Sequence, residues 1–337
     1  MAFNTQEIKQ AVMGYVNNNP KAFQAALLSD KIFLSKYAQR ITKVNGAYAT
    51  VVALMGHVVQ AYYSKKFSPF SDVTFKAKKL ETFRQKVDFT IDPAEILGTI
   101  YADKFDEGKK PQDKTITKDI MDMVMAKIID DLDYLSINGE YDATKVGLDV
   151  PVFGYSMDGL NQVILDIVAG SQPYFVPGDA ITSSNILTEV TAFEKNIPSM
   201  AKRKVKYIFT SEEDAEEYQE AKDDAFGLRP SFNENENLRT RFGKRELVGI
   251  PGLTKGTLFA TIDKNLLELV DVVENPGQIT DVQVQDRIVK LLSEFSLGYN
   301  FGIDQYLFLH TADGTKNLGL GDSASNKLFY PSERKIS

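Results

Sequence analysis

The sequence predicts an α+β fold organised around one long helix. Three observations lead to this prediction: helical periodicity over 115–139, an extended region over 46–80, and a series of strand-like segments in the second half of the chain. With 337 residues, the chain can form one large domain or two to three smaller ones, each with its own core.

The long helix is predicted from apolar residues that recur every fourth position. A second apolar row lies beside the first, so the helix presents a broad apolar face, and Asn138-Gly139 provides a stop signal. The two rows consist of Ile116, Ile120, Val124, Ile128 and Leu132, and of Met121, Met125 and Ile129.

Before this helix, residues 1–44 predict two short amphipathic helices, which either dock on a neighbouring subunit or cap their own domain. The region 46–80 predicts a long hairpin-like excursion with turn signals around Pro69 and with Lys65 and Lys66 at its tip. A short helix is predicted at 94–105.

After the long helix, the pattern predicts a second α/β part and a polar tail. Helices are expected at 157–169, 185–196 and 212–224, the last capped by Ser211, and Gly298 and Gly302 are expected to bend a long strand over 294–309. Further strands are expected at 204–210, 248–252, 258–261, 266–273 and 283–292.

Composition excludes several kinds of site. The chain has no Cys and only two His residues, His57 and His310, so cysteine chemistry and a His-rich metal site are impossible. Both His residues are interpreted as structural. The net charge of −7 disfavours nucleic-acid binding by the whole surface. The N-terminal sequence lacks the order of a signal peptide, and no apolar run predicts a membrane span.

Two charged clusters allow more than one interpretation. Asp130, Asp131 and Asp133 resemble a carboxylate site but lack the loop and the closing Glu of a calcium site, so a solvated helix face is preferred. The basic segment 202–206 either contacts phosphate or is a solvated entry into an apolar strand, and the second interpretation is preferred. No catalytic, cofactor-binding or metal-binding residue is predicted.

The joint order of these parts resembles the major capsid protein of tailed bacteriophages, the Hong Kong ninety-seven-type fold with a long spine helix, an extended loop, and peripheral and axial domains. The segments that carry the resemblance are 71–75 with 80–82, the helix end 137–139, 247–251 with 256–261, and 282–290 leading into 294–298.

The resemblance divides the chain into six parts. They are an N-terminal arm (1–44), the extended loop (45–80), a peripheral domain with the spine helix (81–150), an axial domain (151–278), a return strand of the peripheral domain (279–310) and a C-terminal tail (311–337).

The resemblance also implies a structural protein that is not an enzyme and needs no cofactor. Such a protein assembles with itself into hexamers and pentamers of an icosahedral shell in the virion, after a stage in the host cytoplasm. The shell encloses double-stranded DNA without sequence-specific binding, with portal, scaffold or decoration proteins as partners and with no membrane. The family's Lys–Asn cross-link is not expected, because 277–299 contains no Asn.

In that family the extended loop lies over a neighbouring subunit, which predicts assembly contacts from six residues of this region: Lys65, Lys66, Phe67, Phe70, Lys76 and Lys78. Two alternatives remain open: a shell protein of a cellular nanocompartment with the same fold, and a two-domain α/β enzyme.

Overall fold

The computed structural model describes residues 5–29, 31–55, 57–62, 67, 73–92, 115–226, 238–273, 276–285 and 288–336. The chain forms two compact units, each built from three segments. The first contains Met1–Ala47, Glu81–Met157 and Glu268–Gly298, and the second contains Tyr48–Leu80, Asp158–Leu267 and Tyr299–Ser337. The division into six parts stays a prediction. Within the described residues, no helix has the length and apolar character needed to cross a membrane.

The described residues contain both helices and strands, as the α+β prediction requires. The α-helices are α1 (Thr5–Asn18), α2 (Ala22–Leu27), α3 (Thr115–Asn138), α4 (Leu160–Ala169), α5 (Ile186–Asn196), α6 (Glu212–Phe226) and α7 (Ser323–Phe329). The strands are β1 (Gln39–Thr42), β2 (Ala47–Met55), β3 (Val73–Glu81), β4 (Phe83–Ile91), β5 (Tyr174–Pro177), β6 (Tyr207–Ser211), β7 (Glu246–Ile250), β8 (Leu258–Thr261), β9 (Leu266–Val270), β10 (Pro276–Gln285), β11 (Ile288–Phe301) and β12 (Leu307–Thr311). The predicted helix 94–105 lies outside the described residues.

The long helix α3 is the predicted spine helix, and its apolar face is buried. Met121, Val124, Ile128 and Leu132 are at most 7% exposed. Helices α1 and α2 and a 3₁₀ turn at Leu34–Lys36 pack on α3. The N-terminal helices therefore cap their own unit, which is one of the two interpretations of this segment.

The sheet of the first unit has the strand order β1-β9-β11-β10, and β4 also pairs with β11. The β4–β11 pair is antiparallel and in continuous register from Val289↔Ile91 to Leu297↔Phe83. Residues of β11 alternate between buried and half-buried up to Phe295, because one face of the strand packs into the core.

The structure corrects the predicted bend at Gly298, which lies inside the continuous strand β11. A Cβ atom at this position would lie 2.7 Å from the carbonyl oxygen of Glu81. Glycine is therefore required for close backbone approach rather than for a change of direction.

The predicted strand 294–309 is in fact two strands, β11 and β12, separated by a 3₁₀ turn at Asp304–Tyr306. Asn265 ends the first strand: its Nδ2 donates to the Ile303 carbonyl at 3.0 Å, and its Oδ1 accepts from the Ile303 N–H at 2.9 Å. The Gly302 N–H donates to the Asn265 carbonyl at 2.8 Å. These bonds occupy backbone groups that a continuing strand would need for its ladder.

The second unit contains a five-stranded sheet of order β5-β12-β8-β6-β7. The β5–β12 and β6–β7 pairs are parallel, and β8 pairs antiparallel with both β12 and β6. Its core includes the buried aromatic residues Tyr174, Phe193 and Phe308.

The C-terminal tail, predicted as a polar addition, is part of this core. Leu320, Phe329, Tyr330 and Ile336 are at most 8% exposed and belong to the same hydrophobic cluster as the sheet residues. Helix α7 begins at the N-cap residue Asp322, whose carboxylate accepts the Ser325 N–H at 2.7 Å. The tail therefore belongs to the second unit.

Candidate assembly surface

Strands β2 and β3 form a separate two-stranded sheet, here called the ribbon. Along β2 the residues alternate in exposure, with Thr50 and Val52 half-buried, Leu54 buried, and Val51 and Met55 exposed. Leu54 joins the hydrophobic cluster of the second unit, and Val52 packs against that cluster. One face of the ribbon is thus anchored in its own unit.

An ion pair anchors the other strand. The Lys78 ammonium donates to Asn300 Oδ1 at 2.8 Å and to the Phe301 carbonyl at 3.0 Å, and it is paired with the Asp304 carboxylate. Asp304 also accepts the hydroxyl of Ser171, and its side chain is only 6% exposed. Burial lowers the pKa of Lys78 from its ordinary value, although the neighbouring Asp304 acts in the opposite direction.

Two further hydrogen bonds hold β2 and the segment that follows it. The Thr50 hydroxyl donates to the Gly302 carbonyl at 2.8 Å. A ring nitrogen of His57 lies 3.1 Å from the carbonyl oxygen of Pro331, which is a structural role for this residue.

The ribbon and the described residues between its two strands expose large apolar side chains to solvent. A two-stranded ribbon of this kind is weakly stable by itself, and its edges carry backbone groups that a neighbouring chain could pair with. Apolar patches on such an edge mark a surface for protein association. The residues are Val51 (61% exposed), Met55 (48%), Val58 (52%), Val59 (89%), Tyr62 (92%), Phe67 (93%), Val73 (45%) and Phe75 (69%).

Only three of the six predicted contact residues can be placed, because Lys65, Lys66 and Phe70 lie outside the described residues. Phe67 is almost fully exposed, and Lys76 is exposed on β3. Lys78 is instead engaged within its own unit by Asp304. The assembly role of these residues stays a prediction.

The sequence prediction omitted Val51 and Phe75, the most exposed large apolar residues of the two strands. The signal that identifies Val51 is the period-two alternation of β2, in which both alternating sets are apolar. A strand with two apolar faces needs cover on both of them, and within the described residues only one is covered.

The Lys78 ion pair gives a test of the ribbon anchor. Lys78→Met should lower the free energy of unfolding by about 3 kcal/mol, because the Asp304 carboxylate would stay buried without its cation. Urea unfolding measures this change.

Two further variants sharpen the Lys78 test. The double variant Lys78→Met/Asp304→Asn should recover part of the loss, since no unpaired charge remains. Lys76→Met, at an exposed position of the same strand, should change the unfolding free energy by less than about 0.5 kcal/mol. Equal stability of Lys78→Met and the wild type would show that the pair does not anchor the ribbon.

Two of the three acidic residues Asp130, Asp131 and Asp133 on the spine helix have partners within the first unit. Asp131 is paired with Lys127 at 2.6 Å, Asp133 accepts the backbone N–H of Phe33 at 2.7 Å, and Asp130 is exposed. Among the described residues, no group of three or more acidic or His side chains is placed to hold a metal ion.

The second histidine lies in the core of the second unit. His310 is buried, and its Nε2 lies 3.2 Å from a carboxylate oxygen of Glu189. A Cβ atom at Gly178 would lie 2.5 Å from the same ring nitrogen. The backbone at Gly178 therefore closes over the pair, which agrees with the structural interpretation of His310.

No protein-family model matches this chain, and no curated protein matches it significantly. Several solved structures match this chain. A chain of the Satellite phage P4 procapsid, solved with the size determination (Sid) protein, has a TM-score of 0.53 at 11% identity, over 88% of this chain and 99% of that chain. A chain of the Cyanophage A-1(L) capsid asymmetric unit has a TM-score of 0.50 at 13% identity, over 83% and 92% of the two chains. The α+β prediction and the predicted likeness to phage capsid chains are confirmed: this chain has the fold of those capsid structures.

Proposed function

We propose that this chain is the major capsid protein of a tailed phage, the subunit of an icosahedral shell. The observation that carries the proposal is the structural match to a procapsid chain over 88% of this chain and 99% of its counterpart. A match of this extent includes both compact units rather than one widespread module.

The ribbon supports the same proposal. A shell subunit needs large contact surfaces that neighbours cover, and it needs no catalytic centre. The ribbon has one face anchored by Leu54 and Lys78 and many exposed apolar side chains, Phe75 among them. We place these side chains against a neighbouring subunit in hexamers and pentamers.

On this proposal the shell lies in the virion and encloses double-stranded DNA without sequence-specific contacts. Portal, scaffold or decoration proteins are its expected partners, and assembly takes place in the host cytoplasm. The protein itself is proposed not to be an enzyme.

Negative-stain microscopy of the purified protein tests this function. Uniform icosahedral particles or capsomer rings are expected. A discrete monomer or dimer that forms no larger assembly under any condition would overturn the proposal and favour the two-domain enzyme. Nuclease-protected DNA inside particles from infected cells is the expected cargo, whereas an enclosed enzyme would identify a nanocompartment.

A further inference from the structure

A basic cleft lies on the second unit, near the amino ends of the parallel strands β6 and β7. It is formed by the end of α5, the 3₁₀ turn Ala201–Arg203, the start of β6 and the segment 239–246. Its volume is about 810 Å³, within the range of small-molecule sites. The parallel pairing Tyr207↔Glu246 brings these distant segments together.

The lining of the cleft is strongly cationic. Seven cationic side chains face two acidic ones, Glu194 and Glu246, although the whole chain carries a net charge of −7. A concave surface lined by one sign of charge concentrates ions of the opposite sign. The cations are Lys195, Lys202, Arg203, Lys206, Arg239, Lys244 and Arg245.

The floor of the cleft contains the buried guanidinium group of Arg245. The Arg245 side chain is 8% exposed; it is paired with Glu194, and its Nη2 donates to the Lys202 carbonyl at 2.6 Å. Its Nε–H has no partner among the described residues, and neither does Glu194 Oε2. Both atoms are fully buried, so the Arg245 guanidinium contributes positive potential to the cleft and not a direct contact with a ligand.

The rim of the cleft carries exposed cations. Arg203 and Lys244 are exposed, and neither forms an ion pair with a carboxylate in the part of the chain that the structure describes. Lys206 is partly engaged, since it pairs with Asp263 at 2.9 Å. Phe242 adds an aromatic ring that is 44% exposed.

The half-buried Lys202 connects the floor with the rim. Its pKa lies below the ordinary value because of burial and because Lys335 and Arg245 are close. Like charges crowded in this way gain stability when an anion joins them.

We propose that this cleft binds phosphate-bearing anions, with phosphate oxygens on Lys202 and on the exposed rim cations Arg203 and Lys244, above the buried Arg245 guanidinium. The shared chemistry is the phosphate group, carried either by a free phosphate compound or by a nucleic-acid backbone. This inference goes beyond shell assembly and does not depend on it. It assigns a role to the basic segment 202–206, for which a solvated strand entry was the preferred interpretation.

Binding to the purified full chain tests the proposal with two probes. Calorimetry follows inorganic phosphate, and fluorescence anisotropy follows a short fluorescein-labelled single-stranded DNA. Arg203→Ala/Lys244→Ala should weaken binding of at least one probe roughly tenfold or more. If the DNA binds, the same variant should reduce the slope of log affinity against log salt concentration by about 2.

The matched control removes two cations elsewhere on the same unit, the half-buried Lys316 and the exposed Lys327, as Lys316→Ala/Lys327→Ala, and should leave binding unchanged. Equal unfolding midpoints of both double variants would show that the loss is local. Binding of phosphate alone identifies a small-anion site, whereas binding of DNA alone identifies a nucleic-acid contact. Failure of both probes to bind, or equal loss in both double variants, would overturn the proposal.

Discussion

Phe75→Asp is expected to abolish shell formation and to leave the subunit folded. The Phe75 side chain is 69% exposed within its unit, so a carboxylate there stays in water in the isolated subunit. A surface substitution of this kind changes the free energy of unfolding by at most about 0.5 kcal/mol.

The effect on assembly should be much larger. If a neighbour covers Phe75 in the proposed shell, the new carboxylate is buried there without a partner, at a cost of about 3 kcal/mol for each contact. That cost weakens each subunit contact roughly 100-fold, and the contact repeats throughout a closed shell. Sedimentation and negative-stain microscopy should therefore show free subunits or capsomers instead of particles.

Phe75→Leu is the matched control, because it keeps an apolar side chain at the same position. It should assemble as the wild type does. Normal particles from Phe75→Asp would exclude this part of the ribbon from the contacts between subunits, without any consequence for the fold.

The sequence predicted best those elements whose signals are local. Helix α3 ends at Asn138, one residue before the predicted limit, because its apolar residues recur at helical spacing up to this point. Gly139, which follows, does not adopt the left-handed conformation of a glycine stop. The predicted cap of α6 is also present: the Asp214 N–H donates to the Ser211 hydroxyl at 3.1 Å. Both signals lie within a few residues of the structure that they specify.

The role of Lys78 could not be predicted, since its partners are distant in sequence. On an exposed excursion, a lysine appears available to a neighbouring subunit. The carboxylate that holds it, Asp304, lies 226 positions later in the chain. It is presented by a 3₁₀ turn inside a segment that was predicted as continuous strand. Because 294–309 was predicted as one strand, the turn that brings Asp304 to Lys78 was not foreseen.

The basic cleft could not be predicted either, because its cations come from segments that are distant in sequence. Lys202 and Arg203 follow α5, whereas Lys244 and Arg245 precede β7, about 40 residues later. Each group by itself is typical of a solvated strand entry. Only the parallel pairing of β6 with β7 brings the two groups to the same end of the sheet.

The polar composition of the C-terminal tail did not predict that the tail is part of the core. Its buried residues Leu320, Phe329, Tyr330 and Ile336 are too irregularly spaced for helix or strand periodicity. They reach the core because the tail turns back onto the sheet, where the Phe175 N–H donates to the Gly319 carbonyl at 2.9 Å.

Tyr330→Ala is therefore expected to lower the free energy of unfolding by about 4 kcal/mol. The Tyr330 ring centroid lies 5.1 Å from that of Tyr174 and 6.2 Å from that of Tyr306. The Tyr330 hydroxyl donates to the Gln305 carbonyl at 2.5 Å. Removal of the ring leaves a cavity among these aromatic side chains and leaves that carbonyl without its donor.

Two controls separate these contributions in urea unfolding. Tyr330→Phe keeps the ring and removes only the hydroxyl, so it should cost about 1 kcal/mol. Lys327→Ala, at an exposed position of α7, should have almost no effect. A loss below about 1 kcal/mol for Tyr330→Ala would mean that the tail packs only loosely and is dispensable for the second unit. A loss near the expected value would show that the tail is part of the core of the second unit.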